Sequence, residues 1–154
     1  MNYTIRDATT ADGEAMLALM PRLADFEVPA SRNPEHLYRD DAKLLQRWLD
    51  GKEECLVQVA ETDAGKIAGF TLVRMRPEML SGDPSSHLEA IAVNESAEGK
   101  GVARSLLNAA EQGAKDRGAL TMTLHVIASN ARARAFYDRS GYDGELVRYI
   151  KAIG

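Results

Sequence analysis

Apolar residues recur along the chain at two spacings, one helical and one of strands. Residues 3–8 predict a short strand, after which Thr9-Thr10 offers a helix N-cap. Met16, Leu19, Met20 and Leu23 follow at helical spacing, with Pro21 placed to kink or shorten that helix. Residues 27–33 read as a loop, and Asn33-Pro34 as an N-cap with proline at the first helical position. Leu37, Leu44, Leu45, Trp48 and Leu49 form the next stripe, closed by Gly51, as one helix or two. Residues 55–60 and 66–75 are strand-like around an Asp63-Ala64-Gly65 turn, which predicts an antiparallel hairpin ended by Pro77. A third strand covers 87–93. Val102, Ala103, Leu106, Leu107, Ala110 and Ala114 mark an amphipathic helix ending at Gly118. A strand over 120–126, a helix over 130–139 stopped by Gly141, and a strand over 145–153 complete the pattern. The order β-α-α-β-β-β-α-β-α-β is a mixed α/β sheet flanked by helices. A helix between the strands at 87–93 and 120–126 should make them parallel neighbours.

The 154 residues suit a single domain, 1–154, with one hydrophobic core. Cys55 is the one cysteine, so no internal disulfide is expected; it reads as a small core residue, not a nucleophile. No Cys/His cluster suggests a metal. No apolar run reaches the roughly 18 residues of a membrane span, and no leader segment is visible, so a cytoplasmic protein is expected. A net charge of −4 argues against a nucleic-acid partner. The charge is uneven, however: residues 98–139 carry an excess of bases and residues 25–54 an excess of acids. Such a division suits an anionic ligand on one side and a cationic one on the other, or is plain surface variation.

The stretch Glu98-Gly99-Lys100-Gly101-Val102-Ala103-Arg104 opens directly into a helix. Two glycines let the backbone turn tightly and approach a ligand, and free amides at a helix start hold phosphate or pyrophosphate. Lys100 and Arg104 add positive charge. A P-loop requires Ser or Thr after its Gly-Lys pair, where Gly101 stands. A dinucleotide fingerprint requires a third glycine, where Arg104 stands. The residues alone therefore indicate an anion-binding helix start, or a glycine-rich turn without a ligand. In the second segment, residues 130–142, Asn130, Ala133 and Tyr137 share one helical face.

Together the two segments resemble the GNAT superfamily of acyl-CoA-dependent N-acyltransferases. The first motif, R/Q-x-x-G-x-G/A, is represented by residues 98–103, with Glu98 replacing the family's Arg or Gln. The second, N-x-x-A-x-x-ϕ-Y-x-x-x-G-F, is matched by Asn130, Ala133, Phe136, Tyr137, Gly141 and Tyr142. The resemblance implies that acetyl-CoA lies between the strands at 87–93 and 120–126. Its pantetheine arm would pair with the backbone of the segment Ile91-Ala92-Val93. Amides of Gly99, Lys100, Gly101, Val102 and Ala103 would wrap its pyrophosphate beside Arg104, and Asn130 would reach the arm from the other side. Glu98 weakens one pyrophosphate contact and puts an acid beside it.

The implied reaction is direct attack of a primary amine, on a small molecule or protein, upon the thioester. Tyr137 is the implied general acid toward the CoA thiolate. A phenol near pKa 10 facing a thiol near 8.5 leaves full proton transfer uphill by about 2 kcal/mol, so a strengthening hydrogen bond is the expected form of its help. The ammonium must lose a proton before attack. Glu89 is the candidate acceptor and substrate-binding residue, holding the ammonium directly or relaying its proton through water, and is expected by alternation to share a strand face with His87, Ile91 and Val93. His87 is the reserve base, and His125 is read as a satisfied structural histidine. Phe26 and Glu27 are candidate substrate-binding residues in an acidic, aromatic region that also holds Asp25, Glu35, Tyr38, Asp40 and Asp41. A homodimer is possible by the same resemblance. The alternative is a non-catalytic CoA-binding or regulatory module in which Tyr137 only packs; a nucleotide hydrolase lacks its phosphate motif.

Overall fold

The computed structural model describes residues 1–154. Strand β1 (Tyr3–Asp7) leads to helix α1 (Gly13–Leu19), which continues as a 3-10 turn over Met20–Ala24. Pro21 sits at that junction, where a ring without an N–H ends the regular helix. Asn33 caps a second 3-10 turn, Pro34–Leu37, through the Glu35 amide, and α2 (Arg39–Leu49) follows. The stripe from Leu37 to Leu49 thus forms two pieces. Strands β2 (Leu56–Thr62), β3 (Ile67–Pro77) and β4 (Pro84–Val93) then form an antiparallel meander. Helix α3 (Val102–Asp116), the two-residue strand β5 (Met122–Thr123) and α4 (Ala131–Arg139) complete the regular elements.

The sheet order is β1-β2-β3-β4-β5, antiparallel except for the parallel β4–β5 pair. Helices α1 and α2 cover one face: Met16, Leu19, Leu44 and Leu45 pack on Val57, Val59, Phe70, Leu72, Ala90 and Ala92. Helix α3 covers the other, with Leu107 and Ala110 on Leu56, Val73 and Leu88, and Val102 and Leu106 on Ala60 and Ala68. Arg6 grips Asp12 with both terminal nitrogens, at 2.8 and 2.9 Å, and Glu61 through Nε, tying β1 to the start of α1.

Two expectations fail at the far edge of the sheet. The strand expected over 120–126 is paired only at Met122 and Thr123, because β4 leaves it beyond His87. The strand expected over 145–153 does not form. Residues 143–154 are all exposed and make no hydrogen bond, since no neighbouring strand lies beside them.

Candidate functional site

Strands β4 and β5 are pinned together at one end and open at the other. At the pinned end Ser85 Oγ lies 2.7 Å from Thr121 Oγ1, Ser86 Oγ donates to the Thr121 carbonyl at 2.9 Å, and the Leu120 amide donates to the Pro84 carbonyl. Pairing ends at His87 and Thr123, and the strands diverge into a cleft. The Asn94 amide bonds the Ala68 carbonyl on β3. By alternation, the backbone of Val93 and Ile91 faces the cleft and that of Ala92 faces β3. The Val93 carbonyl accepts from Arg22 Nε at 3.1 Å. Ala92 is therefore corrected: its side chain is in the core and its backbone belongs to the β3 ladder, so it offers the cleft nothing.

A β-bulge at Glu89 changes the expected facing. Val73 pairs with Leu88 and Leu72 with Ala90, which leaves Glu89 as the extra residue. Leu88 packs toward α3 whereas Ala90 and Ala92 pack toward α1 and α2, and Ile91 and Val93 pack toward α3. Strict alternation fails at this one residue. Glu89 and His87 lie on the α1/α2 face, opposite the side chains of Ile91 and Val93.

The glycine-rich turn lies at the mouth of the cleft. Gly99 and Gly101 have φ of 71° and 79°, a left-handed conformation suited to glycine. Val102 is buried under α3, 1% exposed, which fixes the start of the helix. The amides of residues 99–104 donate to no acceptor in the chain; the first amide of this helix with a partner is that of Ser105, bonded to the Gly101 carbonyl. Six successive N–H groups are thus available at the positive end of a fifteen-residue helix. The side chains of Lys100 and Arg104 are exposed beside them.

Glu98 has partners that the sequence did not reveal. Arg22, from the 3-10 turn after α1, and Arg132, from the first turn of α4, both pair with it, Arg132 at 3.2 Å. Together, chiefly through the Arg132 hydrogen bond, they hold its carboxyl below the usual range. Arg22 also pairs with Asp25. The acid at this position therefore gathers two guanidiniums from opposite sides of the cleft.

On the opposite wall Asn130 caps α4, its Oδ1 accepting from the Ala133 amide at 3.2 Å. Ala133 is half-buried one turn on. The ring of Tyr137 lies edge-on to Phe136 and Tyr142, with centroids 5.2 and 5.7 Å apart. Its hydroxyl has no hydrogen-bond partner, and burial pushes its pKa up to about 12.

Below the bulge is a charged cluster. Glu89, with its side chain 13% exposed, accepts from Arg74 Nε at 3.4 Å and lies 3.9 Å from Arg76. Arg74 also reaches Glu53 at 3.3 Å. From α2, Asp41 enters the same field. Its carboxyl has no hydrogen-bond partner and is pushed up to about 7, first by burial and then by the charges of Glu89 and Asp40. His87 is 4% exposed, with Nδ1 2.7 Å from Thr123 Oγ1. Burial first, then Arg76, His125 and Arg74, push it down to about 4, so it is neutral at neutral pH. His125 is exposed and makes no hydrogen bond, its ring 4.7 Å from that of His87; it is not the satisfied structural histidine expected. Cys55 packs at the margin of the α1/α2 core, and burial pushes its thiol up to about 11, which disfavours the thiolate.

The loop after α1 reaches the far wall, where Ser129 Oγ donates to the Glu27 carbonyl at 3.0 Å. Phe26 is half-buried and the Glu27 side chain is exposed. The structure thus gathers the residue 98–104 turn, Ile91, Val93 and the start of α4 around one cleft, with Tyr137 on α4. Arg22 and Arg132 join them through Glu98, while Asp41 and Arg74 belong to the charged cluster around Glu89. Asp41 was visible in sequence only as one acid among several, and the arginines carried no spacing signal. No helix is long and apolar enough to cross a membrane.

Comparison with known proteins gives a family and a fold. Residues 20–142 match the acetyltransferase (GNAT) family. An uncharacterized N-acetyltransferase, YhfO of Bacillus subtilis, is 30% identical over 139 residues, covering 90% of this chain and 89% of that protein. A mycothiol acetyltransferase of Propionibacterium freudenreichii is 30% identical over 100 residues, 65% of this chain but 30% of that protein; the chain thus spans about a third of that relative. Among solved structures, a putative acetyl transferase from Pyrococcus furiosus superposes with a TM-score of 0.79 at 25% identity, covering 99% of this chain and all of the other. The aminoglycoside N-acetyltransferase AAC(6')-Iy, in complex with a CoA-based bisubstrate analog, superposes at 0.70 with 22% identity, again over 99% of this chain and all of the other.

Proposed function

The chain belongs to the GNAT family of acetyltransferases, and on that premise we propose that it transfers an acetyl group from acetyl-CoA to a primary amine of a small molecule or protein. The observation that carries this reading is the run of six unbonded amides at residues 99–104, at the open end of two diverging parallel strands. A diphosphate is the ligand chemistry such a run satisfies best. Arg22 and Arg132 bring positive charge to the same place, and an arriving diphosphate competes with Glu98 for them. The cleft-facing backbone of Ile91 and Val93 would receive the pantetheine amides as an added strand. A backbone N–H near Ile91 would polarise the thioester carbonyl. The Asn130 amide group, free on its nitrogen side, would meet the arm from the other wall.

In the reaction the amine nitrogen bonds the acetyl carbon, the carbon–sulfur bond breaks, and the electron pair leaves on sulfur. Tyr137 stays protonated at any physiological pH. A phenol at about 12 facing a thiol near 8.5 makes outright transfer uphill by about 5 kcal/mol. Its unpartnered hydroxyl therefore acts as a hydrogen-bond donor that strengthens as charge gathers on sulfur. The ammonium proton passes toward the carboxylates beneath the bulge. Glu89, paired with two arginines, orients the cation; Asp41, poised near neutrality, is the better acceptor. Phe26 and Glu27, on the loop that meets Ser129, would border the acceptor.

The decisive test is Gly101→Asp. Any side chain at φ 79° is strained, and a carboxylate there adds negative charge beside the amides of residues 99–104. Calorimetry should show CoA affinity reduced by roughly 100-fold or more, the scale of like charges set side by side. Unchanged affinity would remove the cradle. Tight CoA binding without thiol release from acetyl-CoA, over a broad panel of amines, would instead assign a binding module.

A further inference from the structure

On the face of the sheet opposite α3, the charges around the bulge close on one another and leave one group of each sign over. Arg47 reaches Glu53 at 3.1 Å, Arg74 reaches Glu53 at 3.3 Å, and Arg74 Nε donates to Glu89 at 3.4 Å. That chain joins two bases to two acids. Arg76 and Asp41 stand outside it. Neither side chain makes a hydrogen bond, and they do not pair with each other. Both nevertheless act on Glu89. Arg76 Nη1 lies 3.9 Å from Glu89 Oε1, too far for a hydrogen bond, and the charge of Glu89 helps to raise Asp41.

The position of Arg76 is set by β3. Val73 packs toward α3, so by alternation Arg74 and Arg76 face the other side, with Glu89 and His87. Arg76 stands opposite Ser85 in the ladder, yet its guanidinium approaches Glu89, four residues along β4, so the side chain leans toward the bulge. It remains 41% exposed and open to a ligand. After burial, Arg76 is the foremost charge that lowers the pKa of His87, the residue at which β4 and β5 part. A free guanidinium and a free carboxyl thus flank Glu89 beside the cleft.

We propose that the acceptor is a free α-amino acid, its ammonium taken by Glu89 and Asp41 and its carboxylate by Arg76. The inference rests on the acetyl-transfer reading above and narrows it. A plain cation brought to Glu89 would meet Arg74 and Arg76 with no charge to answer them. A carboxylate next to the amine answers Arg76 with a charge-assisted hydrogen bond. The 3.9 Å between Glu89 Oε1 and Arg76 Nη1 requires that the groups they hold be close neighbours, as an amine and a carboxylate on one carbon are. A peptide N-terminus has a neutral carbonyl in that place, and a polyamine a methylene.

Matched pairs test this: each amino acid against its own α-carboxamide, which keeps the amine and side chain and removes the negative charge. Thiol release from acetyl-CoA should give the preferred amino acid a kcat/KM about tenfold or more above that of its amide, the scale of one charge-assisted hydrogen bond. Arg76→Gln should bring that ratio to about one, and Arg76→Lys should retain part of it. The ratio cancels any change in folding or in Glu89 that both acceptors share. Equal values for acid and amide in the wild type, or a preference that survives Arg76→Gln, overturns the proposal. If CoA binds and no amine is acetylated, the transfer reading fails by itself, and calorimetry on the CoA-saturated protein decides the anion site. An amino acid that binds the wild type and not Arg76→Gln supports the site; no binding, or equal binding to both, overturns it.

Discussion

Residues 1–114 and 115–154 are built to different standards of completeness. All of the buried residues lie in the first region, from Asp12 to Ala114, and none lies in the second. The first region holds four strands with helices on both faces and ends in a helix whose leading amides are bare. The second holds a two-residue strand, a nine-residue helix with no buried residue, and an exposed strand-like run. The binding half of the cleft thus rests on a closed core, whereas the half that carries Tyr137 rests on partial packing. The proposed site draws the bare amides, Glu89 and Asp41 from the closed region and Asn130, Arg132 and Tyr137 from the loosely packed one.

Stability should show the largest contrast. Leu106 is wholly buried between α3 and the sheet, so Leu106→Ala should lower unfolding stability by about 2–5 kcal/mol in urea titration. Phe136→Ala, a larger truncation on half-buried α4, should cost less than half as much in the single chain; equal losses would erase the distinction. Tyr137→Phe should lower kcat by about 100-fold with CoA affinity nearly unchanged, as steady-state kinetics and calorimetry would show. A parallel loss of CoA binding would mean that the two sides are not separable. Asp41 gives the pH test. Its carboxyl is poised at about 7 and must be ionised to accept a proton, so kcat/KM should rise with pH through that value. Asp41→Asn should remove this inflection and lower the rate at pH 8 by about tenfold; a retained inflection would move the proton acceptor elsewhere. The smallest effect belongs to Glu98→Gln. Releasing Arg22 and Arg132 from a competing carboxylate should tighten CoA binding by about threefold at low salt, and less at high salt.

What could be read from the sequence follows the same division. Strong periodicity over 102–114, the hairpin turn at 63–65 and the glycine-rich turn all matched the elements found, because burial on a closed core and the local backbone act together there. The 145–153 pattern predicts a strand that does not form, because pairing depends on a neighbouring edge that the pattern does not name. At Glu89 the alternation rule failed because one inserted residue reverses facing, and nothing in the Leu88-Glu89-Ala90 sequence signals a bulge. The substitution at Glu98 was visible, whereas its two arginines, 76 and 34 positions away, were brought to it only by the fold. Asp41 was hidden differently. Its composition gave an acidic residue on a helix; its depth and the nearness of Glu89 gave it a pKa suited to proton transfer.

The amides at residues 99–104 bear the weight of the functional reading, and one titration addresses them directly. Purified wild-type protein titrated with CoA in a calorimeter should give a saturable, exothermic isotherm near one site per chain. Folded protein that gives no heat with CoA or acetyl-CoA would contradict it.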